Sequence, residues 1–366
     1  MKNNPLDDIV KCDIEISSPA INDAAFNVVL VIVAAPTGTP KTGYDPTKTF
    51  DIASADELVD YGYSTTSAAY KAANVAFSQS PTVDKLLICV RRTVTEDETT
   101  TNEDLAVTLA RANGESNFYG IYLADYRTAT DIDAAKVWAE ANEKLFGFEY
   151  TNIASFPVQN TEYYRTFAIF SGKADASSQP DENNYAALAW MAKCFTYQPG
   201  SETWALKTLS VIMPSALSTT EKSTLETGNI STYMRYAGSN VTIGGKTLAG
   251  EWIDVIRFRD WLKAEIQINV FNVLKVNRKV PFTDAGIGLI EGKIIETLSK
   301  AQDIGGIAPT EYDADENPIF GYEVNVPLAS QLSEAERKSR RLTGVNWSAR
   351  LAGAIHAVEI KGYLTF

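Results

Sequence analysis

The chain has 366 residues, 45% of them hydrophobic and 22% charged, a globular composition with room for two or three domains and a sizeable core. Lysine and arginine number 33 against 46 aspartate and glutamate, a net charge of −13, which disfavours a general nucleic-acid binder because neutralising phosphates needs a cationic face. Cys12, Cys89 and Cys194 are odd in number and far apart, so they supply neither a disulfide framework nor a CxxC zinc site.

Met1 leads into Lys2, Asn3, Asn4, Pro5 and two aspartates, without the apolar stretch of a signal peptide, and the longest apolar run, Val28 to Pro36, is too short to span a bilayer. A soluble protein made in a reducing cytoplasm is expected. Residues Val10-Lys11-Cys12-Asp13-Ile14-Glu15-Ile16-Ser17 alternate apolar and polar without a fault and stop at Pro19. That is strand patterning with no hairpin turn after it, so the partner strand is distant in sequence or on another chain.

From residue 26 to about 240, short apolar runs alternate with helical periods, the pattern of α/β units with a largely parallel sheet. The expected strands are Val28–Ala35, Lys85–Arg91, Phe118–Ala124, Phe148–Ala154, Thr166–Phe170 and Thr208–Met213. Helix starts are read at Ser54 with Glu57, at Thr130 with Asp133 and at Ser218 with Glu221, which have capping-box spacing. The helix from Thr130 is expected to run past Leu145 to Gly147, with Glu140 and Lys144 as an ion pair one turn apart. The polar stretches Thr93–Asp104 and Lys173–Asn184 read as solvated loops.

Residues 251–366 carry 14 basic and 16 acidic groups, a net of −2, against 19 and 30, a net of −11, in residues 1–250. Two long helices are expected here. One runs from Trp252 to about Leu274, with Arg257, Arg259 and Lys263 on it and a strand-like alternation at Gln267–Val270. The other, Asp284 to Ala301, places Ile287, Ile290, Ile294, Leu298 and Ala301 on one stripe and ends before Gly305-Gly306. Phe320–Val326 and a basic stretch, Arg337-Lys338-Ser339-Arg340-Arg341, follow. The chain closes with Ile355 to Phe366, in which His356, Val358, Ile360, Gly362, Leu364 and Phe366 share one face.

The inventory for catalysis is thin. His356 is the only histidine and lies in that last strand pattern, where a structural role is the plain reading; there is no G-x-S-x-G elbow. Gly286-Ile287-Gly288 through Gly292 misses the dinucleotide fingerprint by one residue and follows no buried strand, so it reads as a closely packed helix start. Gly244-Gly245-Lys246 reads as a hairpin turn rather than a P-loop, and Asp313-Ala314-Asp315-Glu316 as a solvated loop rather than a calcium site. No catalytic residue, metal site or cofactor is expected. What remains are interaction features: strand patterns at both ends of the chain and one basic stretch in an acidic protein. An unpaired strand is a template for another chain's sheet edge.

The run Glu251-Trp252-Ile253-Asp254-Val255-Ile256-Arg257 with Asp260-Trp261-Leu262, then Val280-Pro281-Phe282-Thr283-Asp284-Ala285-Gly286-Ile287, and Leu351-Ala352-Gly353-Ala354-Ile355-His356, with Phe118 through Asp125, resembles phage contractile tail sheath proteins, in particular the compact sheath-like group of myophages and prophages. The resemblance spans about residues 118–366, and region 160–240 matches nothing sharper than an α/β insertion.

It implies a mixed α/β, multi-domain fold: a mixed sheet with flanking helices, a C-terminal α+β domain and extended terminal β arms. The implied organisation is an N-terminal β arm at 1–20, an outer α/β domain at 21–240, a tube-facing inner domain at 241–345 and a C-terminal β arm at 346–366. It further implies a non-enzymatic subunit of the virion tail, assembled in the host bacterial cytoplasm. Such a subunit polymerises helically around a tail tube by strand exchange, contracts to drive the tube through the host envelope, and meets the tube protein, the baseplate and the tail terminator without touching nucleic acid or inserting into a membrane. The expected arm residues are Val10, Cys12, Ile14 and Ile16 at one end and Ile355, Val358, Ile360 and Leu364 at the other, swinging on Ser17–Asn22 and Gly344–Arg350. The expected tube-facing residues are Arg337, Lys338, Arg340 and Arg341, with Lys293. An α/β enzyme acting on a small molecule, or another tail component such as a tube or baseplate protein, is the alternative; fold alone is weak warrant for activity.

Overall fold

A computed structural model describes residues 25–96, 99–153, 162–172 and 180–364. The chain forms two compact units, Met1–Ile268 and Asn269–Phe366.

The runs VLVIV, LLICV and TFAIF are buried along their whole length, which requires a sheet covered on both faces. They are β1 (Val29–Val33), β3 (Leu86–Val90) and β8 (Thr166–Phe170) of an eight-stranded sheet that also holds β2 (Phe50–Ile52), β6 (Gly120–Leu123), β7 (Leu145–Tyr150), β9 (Ser231–Tyr236) and β10 (Ser239–Ile243). The order is β10-β9-β8-β7-β6-β1-β3-β2. Neighbours from β3 across to β9 are parallel, and β2 and β10 close the edges antiparallel. The helices of this unit are α1 (Glu57–Asp60), α2 (Ala68–Phe77), α3 (Leu105–Glu115), α4 (Ala129–Ala141), α5 (Ala186–Cys194), α6 (Thr219–Thr227) and the first part of α7 (Ile253–Val276).

Leu105, Leu109 and Ala112 of α3, Ala135, Trp138 and Ala139 of α4 and Leu225 of α6 pack on Leu30, Ile32, Leu123, Phe146 and Phe148 of the sheet. Elsewhere α5, buried at every position, packs against β7 and β8. It comes so close that a Cβ on Gly120 would stand 2.4 Å from the Met191 sulfur, and one on Gly147 would stand 3.0 Å from the Met191 methyl and 2.4 Å from the Phe167 ring of β8.

Gly147 is therefore a strand residue that admits α5, not a helix terminator. The helix expected to reach it stops at Ala141, because Glu143 adopts a left-handed φ of 52°. Its burial stripe is Ala135, Trp138 and Ala139 while Val137 is exposed, and the pairing of Glu140 with Lys144 does not form: Glu140 accepts the Arg165 amide (2.5 Å) and Lys144 donates to the Phe118 carbonyl (2.7 Å). Thr128, not Thr130, caps α4, its Oγ1 accepting the Asp131 amide at 3.2 Å. The Ser218–Glu221 capping box is formed. At the first start, Asp56 occupies the cap position while Glu57 accepts the Ala53 amide (3.1 Å).

Three further expectations are corrected. Thr208–Met213 is not a strand: Val211 has φ 59°, and the amides of Leu209, Ser210 and Met213 go to Tyr233 Oη, Gln79 Oε1 and Asn183 Oδ1 instead of to a ladder. The stretch Thr93–Asp104 contains a hairpin, β4 (Thr93–Glu96) with β5 (Thr99–Asn102), hidden from hydropathy because both faces are polar. Gly244-Gly245 is not a hairpin turn either. The β9–β10 turn lies at Ala237-Gly238, and the glycine pair follows β10 at φ 103° and 112°, where Gly245 N–H donates to Ser231 Oγ (3.0 Å).

The second unit holds the end of α7, α8 (Asp284–Asp303), β11 (Glu311–Tyr312) with β12 (Pro318–Ile319), α9 (Glu334–Ser339), and β13 (Tyr322–Asn325) with β14 (Asn346–Ala349). Gln267–Val270 is helix, not strand. Along α8 the residues Ile287, Ile294, Leu298 and Ala301 are buried. Its start is the close approach expected of the glycines: Thr283 Oγ1 accepts the Gly286 amide (3.2 Å), and a Cβ on Gly286 would stand 2.1 Å from the Pro281 carbonyl oxygen. Asp313 closes the β11–β12 turn: the Asn317 amide (2.8 Å) and side chain (3.1 Å), with a smaller part from the Asp315 amide (2.9 Å), donate to its carboxyl and hold it below the usual range.

Candidate assembly interface

The β13–β14 pair is antiparallel, with Tyr322 opposite Ala349, Glu323 opposite Ser348, Val324 opposite Trp347 and Asn325 opposite Asn346. Tyr322, Val324, Trp347 and Ala349 are half-buried and their alternates exposed, so one face is covered, with β13 packed on α8. A two-stranded sheet is marginal by itself in water. Among the described residues neither strand has a second neighbour, so both outer edges keep backbone groups available for pairing.

Beyond β14 the chain is pinned once more. Leu351 bridges Ile307, the Ala352 amide donates to the Gly306 carbonyl (3.1 Å), and Arg350 donates to Glu311 (2.6 Å) and to the Pro309 carbonyl (2.9 Å). Gly344–Arg350, read as a hinge, is thus mostly strand, with Asn346–Ala349 paired to β13. The next glycine, Gly353, has φ 69° and open space about its Cα.

Residues 352–364 then run on without helix or strand. Ile355, Val358, Ile360 and Leu364 are 82%, 72%, 88% and 103% exposed. Each would return about 1.5–3 kcal/mol on burial, and exposed apolar runs of this kind mark interaction surfaces. His356 sits half-buried within this segment. Val10, Cys12, Ile14, Ile16 and Ser17–Asn22 lie outside the described residues.

The basic stretch falls on α9 and its end. Ser333 and Glu336 form a capping box. Arg337 donates to the Ala329 carbonyl and to that of Leu332 (3.4 Å), Lys338 pairs with Glu334 (2.7 Å), and Arg340 ends the helix at φ 56°. All four basic residues are exposed; Lys293, on α8, is half-buried and already pairs with Glu296 (2.7 Å).

Sequence reading did not find a buried ionic cluster at the start of α7. Arg165 of β8's approach grips Asp260, through Oδ2 and at 3.0 Å through Oδ1; Tyr119 donates to the same carboxylate (2.8 Å) and Arg259 adds 2.9 Å. Burial alone would raise the Asp260 carboxyl, yet Arg165 and Arg259 hold it below its ordinary value. Beside it, Lys263 donates to Glu143 (3.2 Å), whose carboxyl burial pushes up to about 7 against the pull of Lys263 and Arg165. The signal that could have found the cluster is three cationic side chains on a helix apolar nearly all round.

The sequence profile of the family described as E217 tail sheath protein gp31-like, C-terminal domain, matches residues 253–363. The helical sheath of the anti-feeding prophage in its contracted state superposes with a TM-score of 0.68 at 12% identity, over 97% of this chain and 98% of that one. The chain has the tail-sheath fold. The sheath complex of the extracellular contractile injection system PVC, also contracted, shares this fold with a TM-score of 0.63 at 11% identity over 96% of each chain. So does the sheath tail protein Lin1278 from Listeria innocua, with 0.54 at 9% over 82% and 88%. No curated protein matches the sequence. The expected fold class, a mixed α/β chain with a large mixed sheet and a C-terminal α+β part, is the one observed.

Proposed function

We propose that this chain is the structural subunit of a contractile tail sheath, polymerising helically around a tail tube by exchange of terminal strands and shortening to drive the tube through a host envelope. The observation that carries the reading is the pairing, in one sheath-fold chain, of an exposed apolar C-terminal segment with a two-stranded sheet whose edges are open. Residues 355–364 of one copy, and 10–17 of another, add to the open edges of β13 and β14, where main-chain hydrogen bonds supply affinity with little dependence on side chains. Donation of this kind is head to tail; where it does not close on itself it builds a filament rather than a dimer.

Contraction then requires that rigid bodies exchange one set of contacts for a better one while the arms stay paired, since only differential interaction moves a two-state element. Arg337, Lys338, Arg340 and Arg341 face the tube; Arg340 and Arg341 have the stronger claim, because Arg337 and Lys338 are partly occupied by Ala329, Leu332 and Glu334, and Lys293 the weakest, because Glu296 neutralises it. The outer part of the chain is 21–240 and the inner, tube-facing part 241–345. Baseplate and terminator proteins cap the ends of the filament in the virion tail, which is assembled in the host cytoplasm; no helix among the described residues is long and apolar enough to cross a membrane.

A non-enzymatic role is supported by the carboxyl ends of the parallel strands, where α/β enzymes bind ligands. There Asp125 accepts the Ala34 amide (2.9 Å), Arg91 pairs with Asp131 (2.6 Å), and Glu149 accepts from Tyr122 Oη (2.9 Å) and from the Ala187 amide (2.8 Å). These polar groups are spent on the fold. Negative-stain microscopy of the concentrated purified chain tests the proposal: hollow striated tubes or stacked rings are expected, and a persistent monodisperse monomer contradicts it.

A further inference from the structure

Just before β1 the chain makes a single turn, in which the Val28 amide donates to the Ala25 carbonyl (3.1 Å), and Val28 O then accepts the amides of Tyr119 (3.0 Å) and Gly120 (3.1 Å). This turn is the root from which residues 1–24 leave. It has no ladder of its own, since strand pairing begins at Val29.

A buried side chain from α7 holds it. Arg257 is 1% exposed. Its Nη1 donates to Glu202, and its Nη2 reaches the carbonyls of Phe26 (3.1 Å), Tyr197 (2.9 Å) and Phe195 (3.5 Å). The guanidinium also lies over the Phe195 ring, 5.0 Å from its centroid. A second contact reaches the same helix: the Phe26 ring packs on Tyr119 (centroids 4.9 Å apart), and Tyr119 donates to Asp260, three residues beyond Arg257.

A buried ion pair is a poor way to gain stability, because apolar residues of the same volume do as well or better. What apolar residues cannot do is gather several separate carbonyls, and only the planar fork of arginine spans them. We infer that Arg257, held in orientation by Glu202, is a positioning residue that anchors the root of the N-terminal arm to α7, so that tension on the arm is taken by that helix instead of by unpicking β1 from its end. The inference rests on the reading of residues 1–24 as an arm given to a neighbour, but its test does not need the filament.

Hydrogen exchange on the dispersed full-length chain reads it directly. In Arg257→Lys, a single ammonium keeps the charge opposite Glu202 but cannot fork. The Val28 amide is expected to exchange at least about tenfold faster than in the unaltered chain, while Val31, in the middle of β1, stays within about twofold. An unchanged Val28, or equal acceleration at Val28 and Val31, overturns the anchor, the latter because it reports global destabilisation. If Arg257→Lys yields no folded protein, Glu202→Gln, which keeps the shape and removes the charge that orients the fork, carries the same comparison, and acceleration confined to Val28 is again the supporting result. A chain that forms no tubes yet shows selective acceleration at Val28 would refute the sheath reading and leave the anchor standing.

Discussion

Glu143 shows what one backbone angle does to a residue. Its φ of 52° ends α4 and turns the carboxylate inward, where it is 1% exposed and meets Lys263 and, at 3.9 Å, Arg165. Because burial raises its pKa from 4.5 to about 7, the folded chain holds that proton more tightly than the unfolded chain. The stabilisation this brings is complete below about 4.5 and is lost as pH rises through about 7. Lys144 next to it runs the other way, lowered by burial from 10.5 to about 8, so its contribution is present above 10.5 and lost as pH falls through about 8. Glu143→Gln removes the first slope, and by taking away a carboxylate that pulls against burial at Lys144 it lowers that ammonium further. Between about pH 5 and about pH 8 the variant should gain on the unaltered chain by up to about 3 kcal/mol in urea unfolding; a difference that does not change with pH contradicts the assignment.

At the scale of elements, legibility followed the physical signal. β1, β3 and β8 are strands because VLVIV, LLICV and TFAIF can only be buried on both sides, and hydropathy alone marks them. The hairpin of β4 and β5 has threonines on both faces and so no apolar alternation to read. Thr208–Met213 has the alternation but satisfies its backbone through Tyr233, Gln79 and Asn183, partners that sequence cannot nominate. Leu145 and Gly147 fit a helical stripe that the left-handed Glu143 breaks. Towards the C-terminus the alternation of residues 355–364 was readable and their exposure was not, nor was the pairing of Asn346–Ala349 with β13, which takes up most of Gly344–Arg350. The basic element is testable separately. Reversing Arg340 and Arg341 to glutamate should slow assembly templated on purified tube much more than assembly of the chain alone, measured by turbidity and counted tubes. Equal effects would remove these residues from the tube-facing surface.

For the molecule as a whole, the sheath fold persists at 9–12% identity to the solved sheaths, which is the behaviour expected when the determinants are burial pattern and backbone pairing instead of particular side chains. An arm that joins copies through main-chain hydrogen bonds asks little of its sequence beyond alternation and exposure, and Ile355 to Leu364 has both. Removing residues 355–366 takes away the proposed arm while leaving every described helix and strand in place. The account predicts a folded, soluble chain with an unchanged far-ultraviolet spectrum and no tubes or rings in electron micrographs under conditions where the full-length chain forms them; tubes of normal abundance from the shortened chain would contradict it.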